Sequence, residues 1–82
     1  MGPEFRAMTA ARDAWHVIVD HWTDLPATRQ CQFLMIVVAS GGRSLGDGSA
    51  LFSTEASALS CISRAAGDLG IVLELRALER QP

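Results

Sequence analysis

Three residue types are missing from this 82-residue sequence, which contains no lysine, no asparagine and no tyrosine. All seven basic residues are therefore arginines, and they are scattered along the chain. The formal net charge is -2, and the sequence shows no basic stripe of the kind that neutralises nucleic-acid phosphates. We therefore do not expect nucleic acid as a partner.

Cysteines, histidines and long apolar runs are also few. Cys31 and Cys61 are isolated thiols, and no signal peptide is evident, so we expect both to be buried as small hydrophobic residues rather than paired. His16 and His21 are five residues apart and do not share a helix face, so we expect no metal site. No apolar run approaches the roughly 20 residues of a membrane-spanning helix, and we expect a cytoplasmic protein without membrane partners.

The length allows one small domain and no enclosed catalytic cleft, so we do not expect an enzyme. Residues 1–7, which begin Met-Gly-Pro-Glu-Phe, are interpreted as a cloning remnant, and residues 8–82 as the single domain. Apolar residues make up 49% of the chain and charged residues 20%. This composition is typical of a globular protein rather than a disordered one.

Hydrophobic periodicity predicts two helices. In residues 9–22, apolar positions recur at the i, i+3 or i+4, and i+7 spacing of one helix face, which predicts an amphipathic helix that ends before Pro26. Residues 53–66 are predicted as another helix, with Ser53 or Thr54 as its N-cap. A glycine at position 67 is placed to end that helix.

Two further apolar segments fit either a helix or a strand. In residues 26–39, Pro26 is suited to the first turn of a helix, whereas the run Ile36-Val37-Val38 favours a strand. Residues 71–78 alternate only in part and also have helix-forming composition. Periodicity alone does not decide either segment.

The most unusual stretch is SGGRSLGDGS, residues 40–49, which holds four glycines and three serines. Its Gly41-Gly42-Arg43-Ser44-Leu45 motif resembles the Gly-Gly-x-Ser-Leu signature of the acyl and peptidyl carrier (thiolation) domains of polyketide and nonribosomal peptide synthases. In that family a tryptophan-containing turn precedes the signature, and here Trp22 lies 22 residues before Ser44. The resemblance is specific only around residues 22–45.

The resemblance implies a carrier protein that tethers acyl or aminoacyl intermediates as thioesters on a covalent 4'-phosphopantetheine arm. Ser44 would carry the arm, Gly42 would allow close approach of a large partner, and Leu45 would pack beneath the arm or bind the transferase. Ser49 is a second candidate, because residues 45–49 fit a looser Leu-Gly-x-x-Ser pattern. The implied partners are synthase domains and a phosphopantetheinyl transferase.

The chemistry of such a site sets a structural requirement. The serine hydroxyl must be exposed at the start of a helix, where backbone N–H groups and the helix dipole favour a phosphate. The serine itself needs no activating base within the domain, because the transferase supplies the catalysis. The resemblance also implies the fold of that family, an all-α fold that forms a small, carrier-like helical bundle.

Two alternative functions stay open. Residues 33–76 are similar to the DNA-binding helix-turn-helix of LysR-type regulators, although the expected recognition helix offers Arg64 alone for base and phosphate contacts. The other alternative is a small α/β protein-interaction domain, with residues 33–39 as a buried strand, 53–66 as a crossover helix and 71–78 as a parallel second strand.

The helical interpretation also predicts which residues form the core. The expected core residues are Trp15, Ile18, Trp22, Leu25, Phe33, Leu34, Val37, Leu59, Ile62, Leu69, Leu73 and Leu78.

Overall fold

A computed structural model of the chain describes residues 14–78. The predicted boundary between residues 7 and 8 lies outside this range. In chain order the elements are β1 (Trp15–Val19), a 3-10 turn (Trp22–Asp24), α1 (Ala27–Ala39), β2 (Arg43–Ser44), β3 (Ser49–Phe52), α2 (Glu55–Leu69) and β4 (Leu73–Ala77).

The four strands form one antiparallel sheet in the order β2-β3-β1-β4. With the two helices, this gives the βαββαβ arrangement of the ferredoxin-like, split βαβ motif. The predicted all-α helical bundle is therefore wrong, and the fold is α/β. Residues 14–78 also do not form the helix-turn-helix of the second interpretation, because the β2–β3 hairpin separates the two helices instead of a tight turn.

Strand β1 replaces the helix predicted for residues 9–22, of which residues 9–13 lie outside the described range. The helix prediction used the apolar positions 15, 18 and 22, but the same segment also fits a period of two. Val17 and Val19 are buried, whereas Ile18 between them lies on the other face of the sheet. β-branched residues pack well on a pleated surface, and pairing with β3 and β4 on both sides decides the outcome.

Helix α1 settles the ambiguity of residues 26–39. Pro26 stands at its N-cap, and Phe33, Ile36 and Val37 form the buried stripe at i, i+3 and i+4. The strand that the α/β alternative placed at 33–39 is therefore wrong. The strand it placed at 71–78 is present as β4, but β4 pairs antiparallel with β1 and not parallel with residues 33–39.

Helix α2 confirms the prediction for residues 53–66. Of the two predicted caps, Thr54 is the N-cap: its Oγ1 accepts a hydrogen bond from the backbone N–H of Ser57 at 3.1 Å. Gly67 lies inside the helix rather than at its end. The helix ends instead at Gly70, whose φ of +64° is the left-handed C-cap conformation that glycine favours.

The core lies between the two helices and one face of the sheet. Of the predicted core, Phe33, Val37 and Leu69 are buried, and Trp15, Trp22, Leu25, Leu34, Ile62 and Leu73 pack against it partly buried. Leu59 and Leu78 are wrong, with exposed fractions of 49% and 40%. The Arg29 guanidinium donates to the Leu69 carbonyl and so joins the start of α1 to the end of α2.

Candidate functional site

The 40–49 segment, where the carrier resemblance places the functional serine, forms a β-hairpin. Arg43 pairs with Leu51 and Ser44 with Ala50, and the Leu45 N–H donates to the Ser49 carbonyl at 2.9 Å to close the turn. The hairpin supplies β2, one outer strand of the sheet. The segment is therefore part of the sheet, not the start of a helix.

Ser44 is half-buried on β2, and its Oγ accepts a hydrogen bond from the Gly46 N–H at 3.1 Å. Ser44 does not stand at the start of a helix, the position that a phosphate attachment site requires, since the next helix begins at Glu55. Modification of Ser44 by phosphopantetheine stays a prediction. Intact mass after incubation with a phosphopantetheinyl transferase and coenzyme A decides it, if the mass gain is lost in Ser44→Ala and kept in Ser49→Ala.

Ser49, the second candidate, is engaged inside the turn. It is only 5% exposed, and both its backbone N–H and its hydroxyl donate to Oδ1 of Asp47, the N–H at 3.1 Å. These bonds favour the charged carboxylate, and the Ser49 hydroxyl is the main cause that lowers the pKa of Asp47 below its ordinary value. The Ser49 hydroxyl therefore serves the turn, while the neighbouring Leu45 is 46% exposed.

Gly42 and Gly48 are required by packing within the domain. A Cβ on Gly42 would lie 2.3 Å from the ring of Phe52, which is 1% exposed. A Cβ on Gly48 would lie 2.4 Å from the ring of Trp22, and the φ of Gly48 is +86°. Trp22 in turn meets Phe33 edge to face, with ring centroids 5.6 Å apart. Gly42 thus makes room for a core aromatic side chain.

The two cysteines lie in different surroundings. Cys61 is buried, as predicted, and burial raises the pKa of its thiol to about 11. Cys31 is exposed on α1, so the prediction that it is buried is wrong. Within residues 14–78, no group of three or more His, Cys, Asp or Glu side chains is placed to hold a metal ion, and no helix is long and apolar enough to cross a bilayer.

The other outer strand, β4, has a different character. Next to this strand, the Leu78 N–H donates to the Ala14 carbonyl, and the Asp20 N–H donates to the Val72 carbonyl. The even-numbered residues from 72 to 78 therefore direct their backbone N–H and C=O groups toward β1. In an antiparallel ladder the alternate residues then direct theirs to the opposite side. The backbone groups of Leu73, Leu75 and Ala77 therefore point away from the sheet, and no described strand lies beyond them.

The side chains of this strand, together with one residue at each end, form what we name the β4 edge, residues 72–78. Val72 is 68% exposed and Leu78 40% exposed, one at each end. Between them Glu74 and Arg76 are exposed and joined by a bond from Arg76 Nε to Glu74 Oε1 of 2.8 Å. These four even-numbered residues share the sheet face opposite the helices.

No protein-family model matches the chain, and no curated protein or solved structure is significantly similar to it. The function is therefore inferred from the geometry of the domain itself. The sequence interpretation allowed a strand at residues 71–78 but did not identify the β4 edge, because the alternation of Leu73 and Leu75 with polar residues signals a strand and not its place in the sheet.

Proposed function

We propose that this chain is a protein-interaction domain that binds an extended segment of a partner as an additional strand beside β4. The observation that carries the proposal is the row of outward-directed backbone groups on Leu73, Leu75 and Ala77. In strand addition the main-chain hydrogen bonds supply affinity, and the alternate side chains supply specificity. The β4 edge offers both, with exposed apolar residues at its two ends.

Strand β4 lacks three features that protect ordinary edge strands, although it carries the charged side chains of Glu74 and Arg76. Proteins commonly blunt an exposed edge with a proline, a bulge or a very short strand. Strand β4 is five residues long, contains no proline, and keeps an unbroken register with β1 from Leu73 to Ala77. Strand β2, at the opposite side of the sheet, is only two residues long. The sheet thus leaves one edge long enough to accept a partner strand.

The proposal is tested by titrating the isotopically labelled protein with synthetic peptides of about seven residues, the length of a typical strand. The peptides alternate valine with threonine, glutamate or arginine. We expect the best of them to shift and protect the amide resonances of Leu73, Leu75 and Ala77, because those N–H groups gain acceptors.

Two controls separate strand addition from other modes of binding. The same peptides, N-methylated at alternate positions, lack the N–H groups that would donate to the carbonyls of β4. These peptides should not bind. Ala77→Pro removes one outward N–H of β4 without touching the bonds to β1, and should weaken binding. Protection of amides elsewhere with none at β4, or no binding by any peptide, would show that the edge is not the interaction site.

A further inference from the structure

We infer that the strand received by the β4 edge is the β4 edge of a second copy of this chain, paired antiparallel about a twofold axis at Leu75. This inference rests on the proposed function, because it names the partner of the same edge. It follows from a self-complementarity in residues 72–78 that concerns both the backbone and the side chains.

The backbone condition is met by pairing Leu75 with Leu75 of the second copy. Leu73 then lies opposite Ala77 of the second copy, and Ala77 opposite its Leu73. All three are residues whose N–H and C=O groups point outward. Each pair can exchange two hydrogen bonds, as the hydrogen-bonded pairs of an antiparallel ladder do. Every outward backbone group of β4 is then satisfied.

The side chains match in the same register. Glu74 lies opposite Arg76 of the second copy, and Val72 opposite its Leu78, with the reciprocal pairs across the axis. These are non-hydrogen-bonded pairs, in which the side chains of an antiparallel ladder approach most closely. The pairing therefore sets each charge against an opposite charge and covers Val72, which is 68% exposed in the single chain.

Neighbouring registers lack this match. A shift of two residues in one direction sets Glu74 against Glu74, and a shift in the other direction sets Arg76 against Arg76. Like charges directly opposite one another destabilise a strand pair. A shift of one residue sets an outward-directed backbone group against an inward-directed one. Of these neighbouring registers, residues 72–78 favour the one centred on Leu75.

The same register also fixes how the two sheets are oriented relative to one another. Directly opposed side chains of a ladder point to the same face, so the helix-covered faces of both sheets lie on the same side. The two four-stranded sheets then join into one continuous sheet, with a helix layer on one face. Because the same patch is used on both copies, the contact is an isologous one that closes on itself.

The test is sedimentation equilibrium of the full chain over roughly 1 µM to 1 mM, a range that covers weak to moderate association. We expect a reversible monomer–dimer equilibrium. Glu74→Arg and Arg76→Glu each place like charges opposite one another twice, and each should weaken dimerisation by about tenfold or more. Both side chains are exposed, so the folded monomer should persist, as checked by circular dichroism.

A mixture of the two single variants tests directly whether residues 74 and 76 of one copy lie opposite each other's counterparts in the second copy. A chain with arginine at 74 and 76 meets a chain with glutamate at both positions, so all opposed charges are again opposite. We expect the mixture to recover dimerisation, and the double variant Glu74→Arg/Arg76→Glu to recover it within one chain. Arg64→Glu, an equal charge change on the exposed surface of α2, should leave the equilibrium unchanged.

The outcomes separate this inference from the proposed function. A chain that stays monomeric throughout the range, single variants that dimerise like the wild type, or a mixture that does not recover dimerisation would each overturn the second copy as partner. The peptide titration judges the edge independently. Peptides that protect the β4 amides of a monomeric chain would keep strand addition and exclude self-pairing, whereas failure of both experiments removes the site.

Discussion

The two outer strands of the sheet use their residues in opposite ways. The hairpin that contains β2 directs Gly48, the Asp47 carboxylate and Ser49 toward contacts within the domain. The β4 edge directs backbone groups and exposed side chains outward. The hairpin is the more unusual sequence, yet β4 is the more available surface. An uncommon composition thus marks where folding needs special residues, and this need not be where a partner binds.

The largest difference between the two regions should appear in stability. Gly48→Ala places a Cβ at a φ of +86° and 2.4 Å from the Trp22 ring, so we expect the free energy of unfolding to fall by about 3 kcal/mol or more. Denaturant unfolding followed by circular dichroism measures it. Gly46→Ala has a similar φ of +83° but open space, and should cost only about 1 kcal/mol.

The control for these glycine variants is Gly67→Ala, within the last turn of α2. Nothing lies within 4 Å of a Cβ there, and alanine is the better helix former, so a gain of roughly 0.5–1 kcal/mol is expected. Equal losses for Gly48→Ala and Gly46→Ala would contradict the view that Trp22 packs against the hairpin.

The two cysteines also differ in exposure, since Cys61 is buried and Cys31 is exposed. The Cys61 pKa is raised from 9.0 to about 11, so the folded state holds a proton that the unfolded state releases in this interval. The stabilisation is complete below pH 9 and is lost as the pH rises toward 11. We expect the free energy of unfolding to fall by roughly 1–3 kcal/mol across that window.

This alkaline loss is easy to assign, because the chain has no lysine and no tyrosine to titrate in the same range. Urea unfolding at successive pH values measures the loss. Cys31→Ser should keep it, and Cys61→Ala should be less stable overall but should lack the alkaline slope. An unchanged slope in Cys61→Ala would place its origin in another group.

Within the hairpin, a smaller effect separates Ser49 from Ser44. Ser49→Ala removes the hydroxyl donor to Asp47, so we expect the pKa of Asp47 to rise toward its ordinary value of 3.8. The stabilisation from this carboxylate is present above 3.8 and disappears as the pH falls through the lower folded pKa, and in Ser49→Ala this dependence should shrink. Carboxyl resonances in an NMR titration report it.

Ser44→Ala is the matched variant, since the Ser44 hydroxyl accepts from Gly46 and donates nothing to Asp47. It should leave the titration of Asp47 where it is. A shift of similar size in both variants would show that the turn responds as a whole to the loss of either hydroxyl.

The smallest effect on stability is expected at the β4 edge. Glu74 and Arg76 form an exposed pair, and exposed pairs contribute little, so Glu74→Arg should change monomer stability by less than about 0.5 kcal/mol. Unfolding at low protein concentration measures it. A loss comparable to that of Gly48→Ala would mean that the pair supports the fold rather than an interface.

The sequence predicts α2 well, because a hydroxyl cap at Thr54 and a stripe of small apolar residues are local signals. The prediction from sequence is wrong at β1, because the apolar residues among its five positions fit both the spacing of a helix face and the alternation of a strand. What decides β1 is pairing with β3 and β4, which lie far away in the chain. The error at β1 and the carrier resemblance together led to the error in fold class, since both favour a helical bundle.

The candidate site illustrates a different limit of sequence reasoning. The glycine and serine motif was visible, but its role depends on Phe52 and Trp22, which come from other parts of the chain. The β4 edge could not be located without the strand order, because an outer strand and a central strand can have the same alternation. Only the strand order places β4 at the outer edge of the sheet, where no strand within residues 14–78 covers its outward backbone groups.

The brevity of β2 has a consequence for assembly size. A sheet with two long exposed edge strands can add further copies at both edges and grow into a fibre. Heterologous contacts do the same when the rotation between subunits does not close a ring. With two residues in β2, that edge offers too little length to template another chain. The inferred pairing through β4 would therefore stop at a dimer, because neither copy offers, within residues 14–78, a second edge of sufficient length.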